Sequence, residues 1–196
     1  MKTQSSPIDF EVAFKELDDL LGRHHLSLHI ICCGGYLIQR MGFRGTIDVD
    51  AFYQSNEEID LLIRRVGALL DINSGRTMWL NNAVSTMSDW PDPQFCRPLH
   101  KFTNLTVDQV TTEYLLGMKL RSIRDRDVDD AVLLVNQLDI KDPLELYSLM
   151  HGMALDVSLS AILKVFTTIY GKDWFEKYYK EHAEDILKIF RCESRK

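Results

Sequence analysis

The chain has 196 residues, 45% of them hydrophobic and 27% charged, which fits one globular domain or one with an appendage. A formal charge of −6 excludes an overall basic field that would draw the protein to nucleic acid, so any such contact needs a local patch. No run approaches the roughly 18 apolar residues of a membrane span. The opening MKTQSSPIDFEVAF carries no apolar leader, so a cytoplasmic setting without membrane association is expected. Cys32 and Cys33 adjoin in an apolar run, Cys96 and Cys192 stand apart, and no C-x-x-C spacing occurs; reduced thiols are predicted.

Pro7, after Ser5-Ser6, opens a predicted helix with the stripe Ile8, Val12, Leu17, Leu20 and Leu21, up to Gly22. LSLHIICC (26–33) is an apolar run with branched residues closed by Gly34, the pattern of a buried strand. A short helix is predicted over 35–42, and TIDVDAF (46–52) alternates as a second strand. Ser55 and Glu58 make a capping box before a helix carrying Ile59, Leu62, Ile63, Val66, Leu69 and Leu70. From Asn73 to Asn104 the signal is poor, and SDWPDPQFCRP reads as loop. LTVDQV (105–110) is a third strand, 111–138 one long helical pattern, and everything beyond Pro143 is helical. In the C-terminal part Trp174, Tyr178 and Tyr179 form an aromatic stripe, either packed on preceding helices or forming a partner groove. The order predicts an α/β (α+β) fold: a small mixed sheet flanked by helices over 1–138, then a helical region over 139–196.

CCGGYLIQRMGFRGTIDVDAF (32–52) departs from ordinary core. In a strand, Ile47, Val49 and Ala51 would share one face and Thr46, Asp48 and Asp50 the other. Two carboxylates about 7 Å apart along a strand repel each other unless something positive lies between them, and aspartate is a poor strand former. Either a hard divalent cation sits on a carboxylate pair that also faces a phosphate, or this is a solvated edge strand with two harmless acids. Gly34-Gly35 ends its strand twelve residues before Asp48. Glycines between a strand and a helix expose backbone N–H groups, a seat for phosphate; a tight turn that needs positive φ is their other use. Joined to D-x-D, the pair supplies both halves of a nucleotide–metal site.

Gly-Gly followed after twelve residues by Asp-x-Asp resembles the signature of the nucleotidyltransferase fold of the DNA polymerase beta superfamily. More narrowly, GGYLIQRMGFRGTIDVDAF, WLNNAV (79–84) and LTVDQVTTEYLLGMKLRSIRDRDVDDAVLL (105–134) resemble the AbiEii-type toxin nucleotidyltransferases and their bacterial relatives, over roughly residues 10–140. The resemblance implies that Gly34 and Gly35 bear a triphosphate, that Asp48 and Asp50 hold Mg²⁺ or Mn²⁺, and that Arg44 and Thr46 lie beside them, Arg44 on phosphate. Members commonly place a third carboxylate on a later strand. Asp108 is the one acid on the candidate strand, and a role as ligand or base is implied for it.

On one continuous helix Lys119, Ile123, Arg126 and Asp130 would fall along one face. Lys119 and Arg126 would then offer cations to a polyphosphate, oriented by Asp127 and Asp130; the alternative is a solvated helix laced with ion pairs. His24, His25 and His29 lack the companions of a zinc spacing and read as surface and core histidines. Cys33 lacks cationic activation and is not expected to be a catalytic thiol. The expected activity is metal-dependent transfer of a nucleoside monophosphate from an NTP to a hydroxyl of RNA, protein or a small molecule, with a toxin or antitoxin partner. The alternative is a catalytically silent binding or antitoxin module acting through its helical tail.

Overall fold

The first helix, α1 (Phe10–Arg23), starts at Asp9, whose carboxylate accepts from the Glu11 N–H at 3.0 Å. The computed structural model describes residues 8–74, 78–122 and 124–194. The expected helix opening at Ser5-Ser6-Pro7, and Ile123, lie outside these. Phe10, Ala13, Phe14, Leu17, Leu20 and Leu21 form the buried stripe of α1, whereas Val12 is exposed.

After α1 come β1 (Leu28–Cys33), α2 (Gly34–Arg40), β2 (Val49–Phe52), α3 (Glu57–Leu69), β3 (Leu80–Asn81), α4 (Val84–Met87), β4 (Cys96–Lys101) and β5 (Leu105–Val110). The strands form one mixed sheet in the order β3-β2-β1-β5-β4. β1 lies antiparallel to β2 and parallel to β5, with Cys33 opposite Asp50 and Ile31 opposite Asp108. Alternation puts Ile30, Cys32, Ala51 and Val107 on one face, all buried. His100 pairs with Val107 on that face and meets the Phe14 ring at 6.2 Å, so α1 covers it. The opposite face carries His29, Ile31, Cys33, Asp50, Phe52 and Asp108.

Local departures from the pattern have physical causes. The second strand begins at Val49, not at Thr46, so Ile47 is 57% exposed and Asp48 precedes the strand. Asn56 caps α3, accepting from the Ile59 N–H at 2.9 Å, while the Ser55 hydroxyl donates to Asp60. The stretch of poor signal, 73–104, contains β3, α4 and β4, the last beginning at the end of the segment read as loop. β4 was hidden by Pro98, which sits at an edge strand where the register shifts between Pro98 and His100.

The chain divides into two compact units, Met1–Thr111 and Thr112–Lys196. The second holds α5 (Thr112–Ser122), α6 (Asp125–Gln137), α7 (Pro143–Gly152), α8 (Leu159–Tyr170), α9 (Lys172–Glu181) and α10 (Ala183–Glu193). The long helix expected over 111–138 is thus α5 and α6, with Arg124 extended at φ −66° and ψ 158° before α6. Both belong with the helical unit. The aromatic stripe is core: Trp174 stacks on Phe166 and Tyr178, the latter ring 5.0 Å away, and the Tyr178 hydroxyl donates to Asp142 at 2.6 Å. Among the described residues no helix is long and apolar enough to cross a membrane.

Asp18 of α1 is buried and ties the β4–β5 turn to the helix. Its Oδ1 accepts from the backbone N–H groups of Asn104 at 2.6 Å and Leu105 at 2.8 Å. Asp18→Ala leaves both donors unpaired and is predicted to lower the free energy of unfolding by about 2–3 kcal/mol, with Asp18→Asn losing less. Urea denaturation checks this; a wild-type midpoint in Asp18→Ala would contradict it.

Candidate functional site

Gly34 follows the last residue of β1 and has φ of 67°, in the left-handed region. A Cβ there would lie 2.5 Å from Asp50 Oδ2 and 3.1 Å from its Cβ. A Cβ on Gly35 would lie 2.8 Å from Thr46 Oγ1 and 3.6 Å from Arg44 Nη1. The glycines are therefore the surface against which Asp50, Thr46 and Arg44 pack. Gly34, Gly35, Arg44, Thr46, Asp48 and Asp50, picked out from the sequence, come together at the junction of β1, α2 and β2.

The chain builds this junction with local hydrogen bonds. The Cys33 thiol donates to the Asp50 carbonyl at 3.4 Å, beside the strand pairing of the same two residues. Gln39 on α2 accepts from the Thr46 N–H at 2.8 Å and donates to the Ile8 carbonyl at 2.9 Å, holding the loop after α2 against the helix. Asp48 is gripped on both oxygens: Thr46 Oγ1 donates to Oδ1 and Asn81 Nδ2 to Oδ2, each at 3.2 Å. Asn81 comes from β3 and sits opposite Asp50 in the register. Sequence reasoning assigned no role to Gln39 or Asn81. WLNNAV was visible as a motif, but only the pairing of β3 with β2 turns Asn81 toward Asp48.

A divalent cation such as Mg²⁺ takes one or two carboxylates and fills its shell with phosphate oxygens and water. Asp48 and Asp50 fit that requirement, with Thr46 and Asn81 orienting Asp48 as outer partners do around a metal ligand. Among the described residues no three His, Cys, Asp or Glu side chains converge as a metal cluster, so the remaining ligands would come from substrate and solvent.

Asp108 shares the Asp50 face, but β1 lies between them and its register partner is Ile31, two residues before Cys33. Strand spacing and rise put the two Cα atoms on the order of 12 Å apart. Its carboxylate accepts from His29 Nε2 at 2.8 Å, and the imidazole is 53% exposed. His24 likewise pairs at the surface with Glu58, 3.1 Å away.

Lys119 is 8% exposed, and its ammonium lies 2.8 Å from both Asp127 and Asp130, so it bridges α5 and α6 inside the second unit. Arg124 Nε reaches the other Asp127 oxygen at 3.1 Å. Arg126 is exposed on α6. With α5 and α6 separate, the single-face spacing of 119, 126 and 130 no longer applies; the two aspartates orient Lys119 across the break. Burial opposes the charged form of Asp127, but hydrogen bonds from Lys119 and Ser122 and the nearby cations outweigh it and hold its pKa below the usual carboxylate range.

Comparisons with family models, with curated proteins and with solved structures found no match to the chain.

Lys119→Met removes the buried cation that Asp127 and Asp130 share and is predicted to cost about 3–5 kcal/mol. The depressed Asp127 pKa stabilises the wild type above about pH 4, a contribution lost as pH falls through the folded value. The deficit of Lys119→Met should therefore be largest at neutral pH and shrink on acidification. Thermal melts from pH 7 to pH 3 test this, and a pH-independent deficit would contradict it. Gly34→Ala, strained at its φ and driven into Asp50, is predicted to cost about 1–3 kcal/mol in the same melts; wild-type stability would contradict the close approach.

Proposed function

We propose that the first unit binds a nucleoside triphosphate with Mg²⁺ or Mn²⁺ and transfers the nucleoside monophosphate to a hydroxyl acceptor. The observation that carries this reading is the close approach of Asp50 to Gly34 and of Thr46 and Arg44 to Gly35, which gathers a carboxylate, a hydroxyl and a guanidinium at the glycine pair. The backbone N–H groups of Gly34 and Gly35 and the Arg44 guanidinium would hold phosphate oxygens. Asp48 and Asp50 would hold the cation, Thr46 and Asn81 fixing the direction in which Asp48 offers its lone pairs. A bound divalent cation neutralises charge on the phosphate oxygens and orients the triphosphate. In the transfer, the acceptor oxygen bonds to the α-phosphorus and the bond from that phosphorus to the bridging oxygen breaks. Pyrophosphate leaves with the electron pair, and the hydroxyl proton passes to a carboxylate of the site. RNA, a protein hydroxyl and a small molecule all satisfy this chemistry as acceptor, and a toxin–antitoxin or defence setting comes from the resemblance alone.

A second reading, a nucleotide-binding module without turnover, is favoured by one observation. Asp108, the acid expected as third carboxylate, is engaged by His29 two residues away from the Asp50 level.

Melting with ATP and MgCl₂ tests binding. At about 100 times its dissociation constant a ligand adds about 2.7 kcal/mol to the native state, and Asp50→Asn is expected to abolish that gain. No rise in wild type would sink both nucleotide readings. Release of pyrophosphate from α-labelled NTP, with label passing to an acceptor, separates the enzyme from the silent binder.

A further inference from the structure

We infer that Trp90 is the surface on which the base of the bound nucleotide stacks. This rests on the nucleotide reading above and adds the contact that the triphosphate residues do not supply. Phe52 follows Asp50 by two residues, so both side chains rise from the same face of β2, about 7 Å apart; their partners Ile31 and Cys33 keep the same spacing on β1. Phe52 is fully buried, and the Trp90 ring covers it, with centroids 6.0 Å apart and planes tilted by 53°.

Trp90 itself is 46% exposed. The next residue, Pro91, is buried, so the segment is anchored while the indole meets solvent. Trp79, by contrast, is fully buried with Phe10 and Phe14, and its Nε1 donates to the Ile63 carbonyl at 2.9 Å. Trp174 is stacked within the second unit. Trp90 is thus the tryptophan of the first unit that pairs a supported ring with an open one, and its ring rests on Phe52 of the strand that carries Asp50. A planar base needs such a platform, and stacking tolerates any base because each has a π-face. With phosphates at Gly34-Gly35 and the cation at Asp48 and Asp50, the ribose runs along β2 and the base reaches the indole. The site then discriminates little among the four nucleotides.

The test compares a ligand with a base and one without. ATP and inorganic tripolyphosphate, each with Mg²⁺, are titrated into wild type, Trp90→Ala and Trp90→Phe. Trp90→Ala should raise the ATP dissociation constant about tenfold, a loss typical of one stacked base, and leave tripolyphosphate unchanged. Trp90→Phe, which keeps a ring, should recover most of the ATP affinity. ATP should also quench wild-type tryptophan fluorescence, and the quench should vanish in Trp90→Phe. An unchanged ATP constant in Trp90→Ala, or an equal loss for ATP and tripolyphosphate, overturns the role of Trp90 and leaves the phosphate and metal reading standing. Failure of both ligands to bind wild type overturns the two together.

Discussion

The approach of Gly34 to Asp50 is the contact on which the first unit's architecture turns. β1 ends at Cys33, the backbone enters a left-handed conformation at Gly34, and α2 leaves the sheet at once. The chain must return from α2 and lie antiparallel beside the strand it just left, with Asp50 opposite Cys33. A Cβ at residue 34 would strain that return, since it would meet the Asp50 side chain. The absence of one at Gly35 likewise admits Thr46. One steric requirement thus explains the glycine pair as packing, and it brings Asp50, Thr46 and Arg44 against the same two residues. The turn that needs positive φ, one of the two uses of such glycines, is present at Gly34.

Asp48 in the first unit and the pair Asp127 and Asp130 in the second are held by different kinds of donor. Asp127 and Asp130 share one buried ammonium, and Arg124 also reaches Asp127, so the chain supplies its own cations at the junction of α5 and α6. Asp48 is held by a hydroxyl and a carboxamide, neutral donors that fix its orientation. A carboxylate held by neutral donors can still accept a cation from outside; one already paired with lysine is less suited to it.

Much of this was legible in the sequence, and the failures are instructive. The apolar run before Gly34, the stripe of α3 and the helical C-terminal half are set by burial periodicity, and they stand in the structure as the mixed α+β fold. The cluster of Gly34, Gly35, Arg44, Thr46, Asp48 and Asp50 was legible because its members lie close together in the chain. Asn81 was not, since its value comes from a two-residue strand pairing across the sheet, which no local pattern announces. β4 escaped because Pro98 forbids a central strand but not an edge with a shifted register. The break between α5 and α6 was masked because no glycine or proline marks it and the apolar spacing continues on both sides. Its cause is tertiary: Lys119 reaches Asp127 and Asp130 only if the second helix turns away from the first.

The most direct test of the account is where a metal goes. Crystals grown with Mn²⁺ and a non-hydrolysable ATP analogue would locate it by anomalous scattering. The account predicts a peak within ligand distance of both Asp48 and Asp50, with the triphosphate against Gly34 and Gly35. Manganese bound elsewhere, or a triphosphate lying away from the glycines, would contradict it.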